Sequence, residues 1–160
     1  KVGLKQRANE NTKFLILPTN KAGPSEVVCG EKMSRFLTLY KVKKFSEAID
    51  LAIKIQEYQG AGHSLGIHTQ NEDRAHEIAM SAKTCRVIVN QAHCFATGGF
   101  FNNGLPFSLS MGCGSWGGNS IDGNLNWEHF VNKVRVVQTI EENKPDLEEI
   151  FGNYWGETSQ

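Results

Sequence analysis

The sequence predicts an α/β fold in which an open, twisted, mainly parallel sheet carries helices on its flanks. Short apolar and β-branched segments alternate along the chain with segments whose apolar residues recur at helical spacing. Strand–helix–strand order of this kind favours parallel pairing with right-handed crossovers. A length of 160 residues is enough for one domain with a core on both sides of such a sheet.

Five segments are predicted as strands because they are short, apolar and rich in branched or aromatic residues. The run Val87-Ile88-Val89 is typical of a strand that is covered on both faces. In chain order the predicted strands are residues 14–17, 35–42, 64–69, 86–90 and 134–140.

Helical periodicity predicts two helices between these strands. The first covers residues 45–58 and ends at Gly60, since glycine is a common helix stop. The second follows Thr69 and Glu72, whose spacing predicts a capping box. A short helix is also predicted over residues 126–132.

The two ends of the chain differ from its middle. The first residue is Lys1, and polar residues follow it, so we expect a piece of a longer polypeptide or a processed chain. The tail 146–155 is too apolar for an unattached end, and we expect it to dock on this chain or on a partner.

Composition argues against several classes of partner. Lys plus Arg and Asp plus Glu each number 17, so no net charge draws the chain to nucleic acid or an anionic membrane. The longest apolar runs are far shorter than the ~20 residues of a membrane span. The four cysteines form no C-x-x-C pair, which predicts free thiols, a cytoplasmic location and no metal site.

A glycine-rich stretch is the predicted site, because seven of the sixteen glycines lie between residues 98 and 118. Within it, Cys113 has glycine on both sides, and His63 lies in a second glycine-flanked loop. One interpretation is a small cysteine hydrolase with Cys113 as nucleophile and His63 as base. The alternative is structural: Cys113 is a small buried side chain, His63 belongs to a loop, and Glu31 forms a surface ion pair.

Four motifs resemble those of the CoA-acylating aldehyde dehydrogenases over residues 11–137. They are Glu31-Lys32-Met33-Ser34, Gly60-Ala61-Gly62-His63-Ser64, Val89-Asn90-Gln91 and the long block Leu109–Ser120. The resemblance implies an oxidoreductase that converts a small aldehyde to its acyl-CoA. A cysteine forms a thiohemiacetal and then a thioester, with NAD and coenzyme A as cofactor and co-substrate. No residue here matches the family nucleophile, which the resemblance places upstream of this chain.

The same resemblance implies roles for individual residues. Glu31 matches the glutamate that holds the nicotinamide ribose hydroxyls, and His63 matches a histidine that faces the active site and handles protons. The stretch 91–107 matches the wall of the aldehyde entrance, where His93, Cys94 and Phe107 line the substrate. The entrance is polar, which suits a small or anionic aldehyde such as acetaldehyde or sulfoacetaldehyde.

The resemblance also implies a division of the chain. Residues 1–140 correspond to the C-terminal part of the catalytic domain, and residues 133–160 to an oligomerisation strand with an apolar tail. A homo-oligomer is therefore expected, and this chain alone is expected to be inactive. The main alternative is a non-catalytic assembly module derived from an aldehyde dehydrogenase.

Overall fold

The computed structural model describes residues 9–157, which fall into two compact units that divide after Phe130. The strands are β1 (Leu15–Pro18), β2 (Phe36–Leu39), β3 (Leu65–Ile67) and β4 (Val87–Val89). The α-helices are α1 (Phe45–Gln59), α2 (Glu72–Ser81), α3 (His93–Ala96) and α4 (Leu147–Glu157). Short 3-10 helices cover Val27–Cys29, Ser115–Gly117 and Trp127–Phe130.

Parallel pairing is confirmed in both pairs of strands. Strand β1 lies beside β2 with Leu15 opposite Phe36, and β3 lies beside β4 with Leu65 opposite Val87. The two pairs are separate two-stranded sheets, so the described residues do not form the single open sheet that was expected. The reason is that these residues supply no strand to bridge β2 and β3 by hydrogen bonds.

The core of the first unit lies between α1, α2 and the β3–β4 pair. Ile49 of α1 packs with Ile78 and Ala82 of the α2 segment, and all three are buried. Burying an isoleucine side chain contributes about 2–3 kcal/mol. The stop predicted at Gly60 is confirmed, because this residue follows α1 with φ +109°.

The capping box predicted at Thr69 is wrong. Helix α2 begins at Glu72, and the Oδ1 atom of Asn71 caps it by accepting a 2.9 Å hydrogen bond from the backbone N–H of Asp73. A cap directly precedes the first helical residue, and Thr69 lies two residues too early for that. The Thr69 hydroxyl instead accepts from the backbone N–H of Asn71 at 3.1 Å.

The second unit contains α4 and the segment before it. Residues 134–140 do not form the predicted strand within the described part of the chain, because no other strand pairs with them there. Val134 and Val137 are 92% and 89% exposed. In α4, the rings of Phe151 and Trp155 lie 5.7 Å apart. No helix among residues 9–157 has the length and apolarity to cross a membrane.

Candidate active site

The loop that carries His63 continues the β3–β4 pairing toward the glycine-rich stretch. Gly62 bridges Thr84 in parallel, and its carbonyl oxygen accepts from the backbone N–H of Cys85 at 2.8 Å. Gly62 has φ +104°, and a Cβ atom there would lie 2.1 Å from the carbonyl oxygen of Cys113. Only glycine satisfies both conditions, so this residue holds the His63 loop directly against the glycine-rich stretch.

Two histidines meet at one serine hydroxyl. The Nδ1 atom of His63 lies 2.6 Å from Oγ of Ser64, and the same Oγ lies 2.8 Å from Nε2 of His93. Both distances are those of good hydrogen bonds. The two histidines are 30 positions apart in the sequence, and it is the β3–β4 register that brings them together.

His93 lies in α3, directly after β4, and its ring packs on β3. A Cβ atom at Gly66 would lie 2.7 Å from the Nδ1 atom of His93, so glycine allows the ring its close approach to the strand. Desolvation lowers the pKa of His93 below its usual value, and the nearby His63 lowers it further. The neutral imidazole of His93 is thereby favoured.

A buried guanidinium ties the site together. Arg86 is 5% exposed, and its Nη1 atom donates to the carbonyl oxygens of His63 and Gly112, each at 2.9 Å. Its Nε atom donates to Oδ1 of Asn124, which is 2% exposed. A buried charge is tolerated only when it is well hydrogen-bonded. In the sequence, Arg86 is the first residue of a predicted strand, and the one feature that could indicate its role is a charged residue next to a buried apolar run.

The glycine-rich stretch wraps around Cys113, which is half-buried. The backbone N–H of Cys113 donates to Oδ1 of Asn119 at 2.8 Å. Burial raises the pKa of the neighbouring Cys85 thiol, against the lowering effect of Arg86. In the described part of the chain the His63 ring is hydrogen-bonded to Ser64, and no hydrogen bond joins it to Cys113. That geometry gives no support to the Cys113–His63 hydrolase.

Glu31 is hydrogen-bonded to the C-terminal end of α1. Its backbone N–H donates to Oε1 of Gln59 at 2.9 Å, and Gln59 is the last residue of α1. The Glu31 side chain is exposed, and among residues 9–157 its carboxylate forms no ion pair. The structure gives no direct contact between Glu31 and His63.

Cys94 and Phe107 line a groove of about 480 Å³ beside α3. Phe107 is 60% exposed, and its ring lies 5.2 Å from that of Phe101. His93 does not line this groove, since its ring is bonded to Ser64 instead. The three side chains expected at the aldehyde entrance are thus divided between two places. Residues 9–157 hold no cluster of three or more potential metal ligands.

Comparison with known proteins gives a consistent result. The chain is 44% identical over 142 residues to a sulfoacetaldehyde dehydrogenase (acylating) of Cupriavidus necator, which covers 89% of this chain and 29% of that protein. It is 41% identical over 144 residues to a succinate-semialdehyde dehydrogenase (acetylating) of Clostridium kluyveri, which covers 89% of this chain and 32% of that protein. No protein-family model matches the chain.

The solved structures agree with the curated proteins. An acetylating aldehyde dehydrogenase from Geobacillus thermoglucosidasius superimposes with a TM-score of 0.76 at 29% identity, over 87% of this chain and 30% of that one. A probable aldehyde dehydrogenase from Listeria monocytogenes gives 0.77 at 28% identity. The fold and the sequence therefore make this chain a relative of the aldehyde dehydrogenases. More particularly, it is similar to the acylating ones, and it spans about 30% of the length of the four proteins named here.

Proposed function

We propose that this chain supplies part of an NAD- and CoA-dependent acylating aldehyde dehydrogenase, which converts a small aldehyde to its acyl-CoA. The observation that carries the proposal is the 44% identity over 89% of the chain to an acylating sulfoacetaldehyde dehydrogenase. The nucleophilic cysteine of such a reaction is not assigned to any residue here. We propose a cytoplasmic location, because the four cysteines form no C-x-x-C pair and are free thiols.

In this proposal His63 handles the proton when the thiol of coenzyme A attacks the acyl group. Its ring is exposed, and its Nδ1 atom is held by Ser64, so the Nε2 atom remains available to a substrate. Imidazole suits this task because its usual pKa is close to neutrality. Arg86 supports the role, since it fixes the backbone of His63 through the carbonyl oxygen.

Glu31 is proposed to hold the ribose hydroxyls next to the nicotinamide. When bound, NAD would accept the hydride from the substrate. A carboxylate suits the ribose because it accepts two hydroxyl hydrogens at once. Two observations fit: the side chain is exposed and without an ion pair in the described residues, and Gln59 fixes the backbone that carries it.

For the aldehyde, the groove beside α3 is the proposed entrance. Cys94 and Phe107 line it, and the neighbouring phenylalanine rings give it an apolar wall. A small aldehyde is proposed as substrate because the relatives act on sulfoacetaldehyde and succinate semialdehyde by name. Three phenylalanines line the groove and make its wall apolar, whereas the sequence predicts a polar entrance.

A segment exchange tests the proposed function. Residues 11–137 would replace the matching segment of the Cupriavidus necator sulfoacetaldehyde dehydrogenase. We expect this chimera to form NADH and acyl-CoA from aldehyde, NAD and coenzyme A, while the 160-residue chain alone forms neither. A folded chimera without activity, or activity in the isolated chain that Cys113→Ser abolishes, would contradict the proposal.

Two variants of the chimera then separate the two roles. Glu31→Gln should lower single-turnover hydride transfer on the order of 100-fold, the scale expected when a reacting group is misplaced by about 1 Å. His63→Ala should leave NADH formation in place and slow transfer to coenzyme A by roughly 100- to 10,000-fold, so that acyl-enzyme accumulates. If both variants slowed hydride transfer and transfer to coenzyme A equally, the separate roles of Glu31 and His63 would be contradicted.

Exposure of the segment before α4 favours a second proposal, that copies of the chain associate through residues 133–155. Val136 and Ile140 are 86% and 84% exposed in a segment without a partner strand in the described residues. Such a segment is able to add to the sheet edge of another chain. This association would serve a homo-oligomeric enzyme, and it would equally serve a non-catalytic assembly module.

A further inference from the structure

We propose that His93 is a positioning residue that fixes the tautomer of His63 through the hydroxyl of Ser64. Its effect is to leave the Nε2 atom of His63 unprotonated and able to accept a proton. This inference rests on the proposed role of His63, and it gives His93 a task other than lining the aldehyde entrance.

The argument starts from the single hydrogen of the Ser64 hydroxyl. Two imidazole nitrogens lie within hydrogen-bond distance of Oγ, at 2.6 Å for His63 and 2.8 Å for His93. When both rings are neutral, the hydroxyl donates to one nitrogen and accepts from the other. Two arrangements are therefore available, and they run in opposite directions along the row of three side chains.

In the first arrangement, Nδ1–H of His63 donates to Oγ, and the hydroxyl donates to Nε2 of His93. His63 then gains a proton at Nε2 without breaking either hydrogen bond. In the second arrangement, the basic atom of His63 is Nδ1, which already accepts from Ser64. Gaining a proton there breaks that bond, so only the first arrangement suits a base.

The surroundings of His93 keep its ring neutral, as both arrangements require. Desolvation lowers its pKa, and the nearby His63 lowers it further. The base role proposed for His63 then selects the first arrangement, in which the neutral His93 accepts from the hydroxyl. The Arg86 guanidinium also lies near the pair. The Arg86 guanidinium donates to the carbonyl oxygen of His63 and not to its ring.

The proton balance is then simple. The S–H bond of the coenzyme A thiol breaks, and an N–H bond forms at Nε2 of His63. The thiolate then forms a C–S bond to the acyl carbon, the C–S bond between that carbon and the nucleophilic cysteine of the complete enzyme breaks, and this cysteine leaves as a thiolate. The His63 ring becomes an imidazolium, and its Nδ1–H bond to Ser64 becomes charge-assisted and stronger. No proton passes to His93, which acts only through Ser64.

The experiment is ¹⁵N-imidazole NMR on the 160-residue chain, which reports the tautomer of each histidine without any need for activity. We expect His63 and His93 both to carry hydrogen on Nδ1 when neutral. In Ser64→Ala we expect the Nδ1–H signal of His63 to disappear. In Ser64→Thr, which keeps a hydroxyl at this position, we expect the signal to be present as in the unmodified chain. Ser81→Ala, at an exposed serine on the last turn of α2, is the matched control and should change neither ring.

A second variant acts from the other side of the row. Gly66→Ala adds a methyl group 2.7 Å from Nδ1 of His93, so it should displace that ring. His63 should then lose its preference for the Nδ1–H tautomer although Ser64 is intact. A Nε2–H tautomer for His63 in the unmodified chain, or a tautomer that survives both Ser64→Ala and Gly66→Ala, would overturn the inference. If the tautomers are as expected but His63→Ala leaves acyl transfer unchanged in the chimera, the proposed function fails and the positioning by His93 stands.

Discussion

The Nε atom of Arg86 donates a 2.9 Å hydrogen bond to Oδ1 of Asn124, and both side chains are almost completely buried. The Nδ2 atom of Asn124 in turn donates to the carbonyl oxygens of Thr97 and Pro106, at 2.9 and 2.8 Å. One amide and one guanidinium therefore connect the His63 loop, the glycine-rich stretch and the groove beside α3. The geometry of the candidate site depends on this pair.

The first prediction concerns Asn124→Ala. The change leaves two carbonyl oxygens and one guanidinium N–H buried without partners, and each such group costs about 1–3 kcal/mol. We expect a loss of at least about 3 kcal/mol in the free energy of unfolding, measured by urea denaturation. Asn102→Ala is the matched control, because Asn102 is an exposed asparagine in the glycine-rich stretch. Equal stability of the two variants would show that the Arg86 network does not hold the site.

The second prediction compares three glycines. Gly62→Ala combines φ +104° with a clash 2.1 Å from the Cys113 carbonyl oxygen, so it should cost more than about 3 kcal/mol. Gly118→Ala has φ +69° but open space, and should cost about 1–2 kcal/mol. Gly104→Ala meets nothing within 4 Å and should be close to neutral. Thermal unfolding of the three variants checks this order, and a neutral Gly62→Ala would contradict the close approach of the two loops.

The third prediction is a pH dependence that comes from His93. Its pKa is lowered in the folded chain, so below about 6.5 the unfolded chain binds the extra proton first. The unfolding free energy therefore rises with pH from the lowered folded value up to about 6.5, and the His93 contribution is constant above that. His93→Gln should flatten this rise.

The matched control for that measurement is His76→Gln, which removes an exposed imidazole from α2. Denaturant midpoints at a series of pH values, from mildly acidic to neutral, give the slope for each chain. A slope for His93→Gln that equals the slope of the His76 variant would contradict the desolvation of the His93 ring.

The sequence predicts the local elements well, because their signals are local. Periodicity places α1 to within one residue, and the apolar run Val87-Ile88-Val89 coincides with β4. The sequence did not predict the row of hydrogen-bonded side chains His63–Ser64–His93, nor the burial of Arg86. Each depends on the β3–β4 register and not on any spacing along the chain. Only the motif around His63 pointed to that region, through the family resemblance.

The predicted strand 134–140 shows a different limit. Valine and isoleucine favour extended backbone, but a strand also needs a neighbour to accept and donate its hydrogen bonds. Within the described residues no such neighbour pairs with this segment. Composition indicates that the segment is suited to pairing, and it does not say with which chain.

The last prediction concerns self-association. Val134, Val136 and Ile140 are each more than four-fifths exposed, and exposed apolar side chains of this density favour contact between copies. We expect the chain to sediment as a dimer or larger at micromolar concentration, and truncation at Lys133 to give a monomer. Val136→Lys should weaken association, because it puts a charge on the apolar row, whereas Thr139→Lys in the same segment is the matched control. A monomer before truncation would show that residues 133–155 do not bind a second copy, and the proposed oligomer would be lost.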